Sequence, residues 1–270
     1  MSDSFDVIII GGGAAATSAA LTCLNRGKTV GVVANKQDTS SLYKAEKVTN
    51  YPGLPPMTGS ELTELFRKQL EESPAEIITG RAISVLPMGD SFGVAVGSEY
   101  YTAKAVILAA GITREKLYPG EAEFLGRGVS YCATCDGMLY RGKTVAVVGG
   151  GEEAKVDADF LEGIGCTVLR FEKNGRYEVK GDKKATSLVF AGEEHPVDCV
   201  FIIKDTVSVT KLVPGLEYAE GGIAVDRHMA TNVPGVFAAG DCTGKPFQLA
   251  KAAGEGNVAA LSACDYIAKL

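Results

Sequence analysis

Twice along this chain an apolar run breaks into three consecutive glycines. Phe5-Asp6-Val7-Ile8-Ile9-Ile10 precedes Gly11-Gly12-Gly13, and Thr144-Val145-Ala146-Val147-Val148 precedes Gly149-Gly150-Gly151. Near-continuous apolarity, rather than alternation, marks a strand covered on both faces, as in a parallel sheet. The small residues that follow let the backbone turn sharply and approach a phosphate at the positive end of a helix. Both turns match G-x-G-x-x-G/A, at Gly11, Gly13 and Ala16 and again at Gly149, Gly151 and Ala154. An Ala-rich helix to about Arg26 follows the first turn, Gly27 ends it, and Lys28 to Ala34 is the next strand. Where that strand ends, an acid often grips a ribose; here the residues are Ala34-Asn35-Lys36, and Asn35 can still hydrogen-bond one. One fold used twice, an α/β protein with two dinucleotide-type domains, is the expectation.

The rest of the chain fits that plan. Residues 59–73 read as an amphipathic helix with Leu62, Leu65, Phe66 and Leu70 on one stripe. Glu76 to Pro87 and Phe92 to Thr102 alternate as strands do, with a turn at Met88-Gly89-Asp90. Ala105 to Gly111 and Gly235 to Asp241 are further buried strands, and an apolar helix spans about Gln248 to Ala268. Between Gly175 and Asp205 the pattern thins to short strands and charged turns. With 46% hydrophobic and 22% charged residues, 270 residues suffice for two modest cores. A net charge of −6 offers no basic field for nucleic acid or an anionic membrane. No apolar run is long enough to span a bilayer, and the acidic start does not resemble a signal peptide, so a cytoplasmic protein is expected.

The chemistry concentrates in Tyr131-Cys132-Ala133-Thr134-Cys135-Asp136-Gly137. Two thiols two residues apart can close a small disulfide ring, and their surroundings decide which sulfur attacks. Half of a zinc site and a structural disulfide are the competing readings. Zinc would need a second close pair, whereas Cys23, Cys166, Cys199, Cys242 and Cys264 are scattered singly and read as small buried hydrophobes. No metal site is expected. His195 and His228 have polar neighbours and no partner pattern, and read as surface residues.

Over nearly its whole length the chain resembles the low-molecular-weight thioredoxin reductases, flavoproteins with two Rossmann-like (FAD/NAD(P)-binding type) domains. The matching pieces are Gly11 to Ala16, Asn50-Tyr51-Pro52-Gly53, Ala109-Ala110-Gly111, Cys132 to Gly137, Gly240-Asp241, Gln248 and Gly254-Glu255-Gly256. The resemblance implies a discontinuous FAD domain, 1–112 and 205–270, with a shortened second domain, 113–204, inserted in it. It implies FAD as cofactor, held by Gly11, Gly13, Ala14 and Ala15, by Asn35, Lys36 and Asn50, by Ala110 and Gly111, by Gly240 and Asp241, and by Gln248, Leu249 and Ala250. It implies that Cys135 lies against the flavin, that Cys132 meets the disulfide of thioredoxin, and that Asp136 donates and accepts protons. Family members are usually homodimers. Phe247 departs from the pattern, which has Arg before the Gln.

The second half departs further. The family follows its second dinucleotide-type strand with a cation cluster for the 2′-phosphate of NADPH, where this chain reads Arg170-Phe171-Glu172-Lys173-Asn174. Glu172 would repel a phosphate; an acid there can instead hold a free ribose hydroxyl, which leaves NADH open, and the competing reading is that Glu172 is only a solvated loop residue. The glycine turn that closes the family's nicotinamide domain is replaced by Lys204-Asp205-Thr206. This pattern is similar to the ferredoxin-dependent flavin thioredoxin reductases, and implies ferredoxin as electron donor. An NADPH- or NADH-dependent reductase with an altered site is the alternative.

Overall fold

The computed structural model describes every residue except 1–2, 36–39, 41, 112–117, 132, 174, 204–211 and 220, and leaves out the side chains of Cys135 and Glu153. The chain divides into two compact units, Met1–Thr113 with Ser208–Leu270, and Arg114–Val207. The anticipated boundaries at 112/113 and 204/205, and the Lys204-Asp205-Thr206 replacement, lie outside the described residues.

The first unit opens with β1 (Ser4–Ile10), α1 (Ala14–Asn25) and β2 (Val30–Ala34). The next helix, α2 (Gly59–Glu71), begins where Thr58 and Glu61 cap each other's backbone N–H groups. Leu62, Phe66 and Leu70 are buried at i, i+4, i+8, but Leu65, assigned to the same stripe, lies one residue off that line and is 41% exposed. Then come β3 (Glu76–Thr79), β4 (Ala82–Met88), β5 (Ser91–Val96) and β6 (Glu99–Leu108). The alternating stretch from Glu76 is therefore two strands. β3 runs parallel to β2 at one end of the sheet, while β4 pairs antiparallel with β5 at the other. Period-two alternation continues through Gly80 and Arg81, so periodicity could not reveal the break. Only those two residues link the ends of the strand order β3-β2-β1-β6-β5-β4, so the sheet must curl back on itself.

The second unit holds the short helix α3 (Glu121–Phe124), β7 (Val129–Ser130), α4 (Ala133–Asp136) and a 3₁₀ turn over Gly137–Tyr140. Next are β8 (Thr144–Val148), α5 (Gly151–Gly163), β9 (Thr167–Phe171) and the antiparallel strands β10 (Tyr177–Gly181), β11 (Ala185–Phe190) and β12 (Glu193–Pro196). β13 (Cys199–Ile202) completes a parallel four-stranded sheet in the order β7-β13-β8-β9. The meander β10-β11-β12 thus carries the chain from β9 to β13. His228 is exposed, and His195 on β12 is partly exposed with its ring 5.1 Å from that of Phe171.

The chain re-enters the first unit with the hairpin β14 (Tyr218–Ala219) and β15 (Gly222–Ile223), then β16 (Val236–Ala238) and α6 (Leu249–Ile267). β6 serves two partners along one edge. Glu99 to Ala103 pair with β5, and Val106 to Leu108 run parallel to β16. The core packs β1, β2, β6 and β16 against α1 and α6 through Val7, Ile9, Ala19, Val32, Ile107 and Ala263. Each buried branched side chain there is worth roughly 1.5–3 kcal/mol. Cys23, Cys166, Cys199, Cys242 and Cys264 are all buried, consistent with a packing role. Among the described residues no helix is long and apolar enough to cross a membrane, and no cluster of three His, Cys, Asp or Glu could hold a metal ion.

Candidate functional site

In the first unit the parallel strands gather the residues anticipated for a cofactor at one sheet edge, where ligands of open α/β sheets sit. Gly11 leaves β1 with φ +132°, and a Cβ there would lie 2.2 Å from the Ala109 carbonyl oxygen. Only glycine lets the first turn pass beneath the end of β6. Gly11 N–H donates to Val33 O and Ala109 N–H to Ile10 O, which brings the end of β2, with Asn35 just beyond it, and Ala110 and Gly111 beside the turn. Lys36 lies outside the described residues.

Gly240 meets the same corner, since a Cβ on it would sit 3.0 Å from Ala15 Cβ and 3.5 Å from Ala252 Cβ. Ala14 packs in a cluster with Leu249 and Ala252 at the start of α6. Asn50 Nδ2 donates to Gln248 Oε1 at 3.1 Å, joining two positions 198 residues apart. Ala250 stands exposed in the first turn of α6, and Phe247 is 39% exposed just before it. Gly13 and Gln248 start α1 and α6 without a side-chain cap, whereas α2 caps itself. The leading N–H groups of those two helices are thus left for a ligand.

Asp241 is half-buried, and among the described residues no hydrogen bond reaches its carboxylate. Burial pushes its pKa above the ordinary carboxylate value; Lys251 draws it down in part and Glu255 pushes it up further. The turn that presents Asp241 is clamped by Glu255, part of the matched Gly254-Glu255-Gly256, and by Lys251, which the sequence reading did not single out. Lys251 Nζ donates to Gly240 O, Thr243 Oγ1 and Gly244 O at 3.0–3.1 Å and pairs with Glu255. Glu255 in turn accepts from Gly240 N–H and Thr243 Oγ1. Their spacing, Lys four residues before Glu on a helix, was the signal available for Lys251.

In the second unit Cys132 lies outside the described residues, as does the Cys135 side chain. The backbone of Cys135 and Asp136 forms the end of α4. Three contacts hold the stretch. Tyr131 Oη donates to Glu121 Oε1 at 2.6 Å, and that fully buried carboxylate also accepts from Tyr118 N–H. Ser130 Oγ donates to Asp136 Oδ2 at 2.7 Å. A Cβ on Gly137 would lie 2.9 Å from Leu161 Cδ2 and 3.1 Å from Phe160 Cε1, so glycine lets the turn rest on α5 without displacing those side chains. Below the turn, Cys166 Sγ donates to Tyr140 O, and the Tyr140 hydroxyl bonds the Cys199 thiol. Burial raises both groups, Cys199 to about 12.

The second glycine turn borders a cavity of about 230 Å³ lined by Gly149 to Gly151, Lys155, Arg170 and Glu172, among others. That is below the roughly 300–1,000 Å³ of typical small-molecule sites. Arg170 is already engaged by Asp159 at 2.7 Å and Glu162 at 2.9 Å. Tyr177 Oη donates to Glu172 O and Tyr118 Oη to Lys173 O, which pins the segment after β9. Lys173 Cβ stands 3.5 Å from where a Cβ on Gly150 would be.

The sequence matches the pyridine nucleotide-disulphide oxidoreductase family over residues 5–188 and 163–256. The chain belongs to this family. It is 35% identical to the thioredoxin reductase of Treponema pallidum, over 99% of this chain and 98% of that one. Among solved structures it is similar to a ferredoxin-flavin thioredoxin reductase from Clostridium acetobutylicum, with TM-score 0.90, 36% identity and full coverage of both chains. A thioredoxin reductase from Gloeobacter violaceus follows at TM-score 0.76 and 31% identity, covering 98% and 95%. The two-domain Rossmann-like architecture is that of the family, and FAD is its cofactor.

The first unit of this pyridine nucleotide-disulphide oxidoreductase fits that cofactor. A Cβ on Gly13 would meet nothing within 4 Å, which leaves open space at the uncapped start of α1. The unbonded Asp241 carboxylate suits a polyol hydroxyl, and the leading N–H groups of α1 suit a pyrophosphate.

Proposed function

We propose that this protein reduces the disulfide of a thioredoxin through bound FAD and the Cys132/Cys135 pair, and that its electrons come from reduced ferredoxin. The donor assignment leans on one observation above all: of the cations that line the cavity at the second glycine turn, Lys155 and Arg170, Arg170 is spent on Asp159 and Glu162. A nucleotide phosphate that recruited Arg170 would have to break both pairs and would face Glu172. The pinned Glu172-Lys173 segment and the small cavity support the same reading. So does the likeness to a protein named for ferredoxin and flavin.

FAD, when bound, supplies a store of two electrons that can be filled singly or as a pair. Gly11, Gly13, Ala14, Ala15, Asn35, Lys36, Asn50, Ala110, Gly111, Gly240, Asp241, Gln248, Leu249 and Ala250 are the proposed contacts. On the protein side, the Cys132 thiolate attacks one sulfur of the thioredoxin disulfide. That S–S bond breaks, and the departing sulfur takes a proton. The Cys135 thiolate then attacks Cys132, which closes the protein's own disulfide and releases the second thioredoxin thiol. Two electrons and two protons have passed to thioredoxin. Asp136 carries protons to and from the pair. A homodimer and a cytoplasmic setting belong to the same reading, carried by the family resemblance.

The second reading is an NADH- or NADPH-dependent reductase. The exposed Glu172 at the cavity favours NADH, because a carboxylate can accept from a ribose 2′-hydroxyl. Anaerobic mixing of the yellow protein with reduced ferredoxin, NADH or NADPH separates the two. Bleaching and thioredoxin reduction by ferredoxin alone support the proposal. Bleaching by a pyridine nucleotide and none by ferredoxin overturns it.

A further inference from the structure

Asp136 ends the one-turn helix α4 and stands at the N-cap of the 3₁₀ turn Gly137–Tyr140, where its side chain makes no capping hydrogen bond. What holds it is Ser130, the last residue of β7, six positions earlier. Ser130 is 5% exposed and its backbone is registered against Phe201 in the parallel ladder, so its hydroxyl projects from a rigid element. On the other side, Gly137 rests on α5 through Leu161 and Phe160. Asp136 is thus fixed between a strand and a helix, with one carboxylate oxygen anchored to the Ser130 hydroxyl.

The groups beneath it do not compete. Tyr140 and Cys199 bond each other, and both feel the charge of Asp136, which helps to keep them neutral. Asp198 acts on both, and Lys143 stands over the Tyr140 ring at 5.5 Å.

We propose that Ser130 is a positioning residue for the disulfide chemistry, holding Asp136 by one oxygen so that the other meets the protons of the cysteine pair. The proposal rests on Asp136 being the proton carrier. The full flavin-loaded chain is assayed for thioredoxin reduction with photoreduced deazaflavin as electron source. Ser130→Ala lowers kcat about tenfold with KM for thioredoxin unchanged, the loss of about one hydrogen bond to a charged group. Ser130→Thr, which keeps the hydroxyl, stays within about twofold. Asp136→Asn is slower still, by about 10²–10⁴, and Ser130→Ala added to it costs nothing more, since the two act through one group. Independently of turnover, the carboxyl ¹³C resonance of Asp136 moves in Ser130→Ala and not in Ser130→Thr. Full activity of Asp136→Asn overturns the proton-carrier reading and the proposal with it. A slow Asp136→Asn beside a Ser130→Ala protein at parental rate, or with an unmoved carboxyl resonance, overturns the role of Ser130 alone.

Discussion

Lys251 Nζ lies 3.1 Å from Glu255 Oε2, one helical turn along α6, and both side chains are only 18% exposed. Neither is spent on the helix itself. Lys251 reaches the carbonyls of Gly240 and Gly244, and Glu255 takes the Gly240 N–H, so the pair closes over the turn that carries Asp241. Removing the ammonium strips the half-buried Glu255 carboxylate of its counter-charge and the Gly244 carbonyl of its Lys251 bond, while Gly240 O keeps its bonds from Thr243. Lys251→Met is expected to cost about 1–3 kcal/mol of stability and to weaken FAD binding. Chemical denaturation and flavin titration check it. The double variant Lys251→Met/Glu255→Gln should recover part of the loss, because the stranded charge goes too.

Asp241 sets stability against binding. Burial raises its carboxyl above the ordinary 3.8. A raised acid favours the fold while protonated, so its contribution is complete below pH 3.8 and is lost as pH rises through the raised value. Flavin-free Asp241→Asn should therefore melt higher than the parent at pH 7, with the advantage fading toward pH 3. Its affinity for FAD should fall by about tenfold, the loss of roughly one charge-assisted hydrogen bond. Melting curves across pH and a flavin fluorescence titration read both; a variant that melts below the parent at neutral pH contradicts the burial argument.

Gly137 sits in a tight packing contact. A methyl group there would crowd Leu161, Phe160 and Ile164 at 2.9–3.2 Å. Gly137→Ala should destabilise the second unit by about 1–3 kcal/mol, the range for overpacking. Amide hydrogen exchange should localise the loss to α4, α5 and the strands they cover. Unchanged protection in those elements would remove the proposed reason for glycine after Asp136.

The thiols should sort into two groups. Cys23, Cys199 and Cys242 are buried, and burial holds each thiol up, Cys199 and Cys242 to about 12. Only the thiolate reacts. Iodoacetamide at pH 8 should modify Cys132 and Cys135 in the reduced native protein and reach these three only after denaturation. Mass spectrometry of the labelled peptides decides it, and label on native Cys23 would contradict its place between α1 and α6.

Much of the fold was legible in local pattern. The apolar runs before Gly11 and Gly149 determined the buried strands β1 and β8, and the small residues after them determined tight turns into helices. These signals are short-range consequences of backbone sterics and side-chain periodicity, so neighbouring residues carry them. Periodicity failed where two strands share one alternating stretch across Gly80, since pairing direction is not a property of either strand alone.

What only the tertiary structure decided is how charged and polar side chains are spent. Asn50 meets Gln248 across 198 positions, and Tyr118 pins Lys173 across 55. Arg170 turns to Asp159 and Glu162 on a neighbouring helix, Ser130 anchors Asp136, and Lys251 clamps the turn before its own helix. Long flexible side chains choose partners by proximity after the backbone has packed. The residue type at a position states the chemistry available, and only the fold says which neighbour receives it.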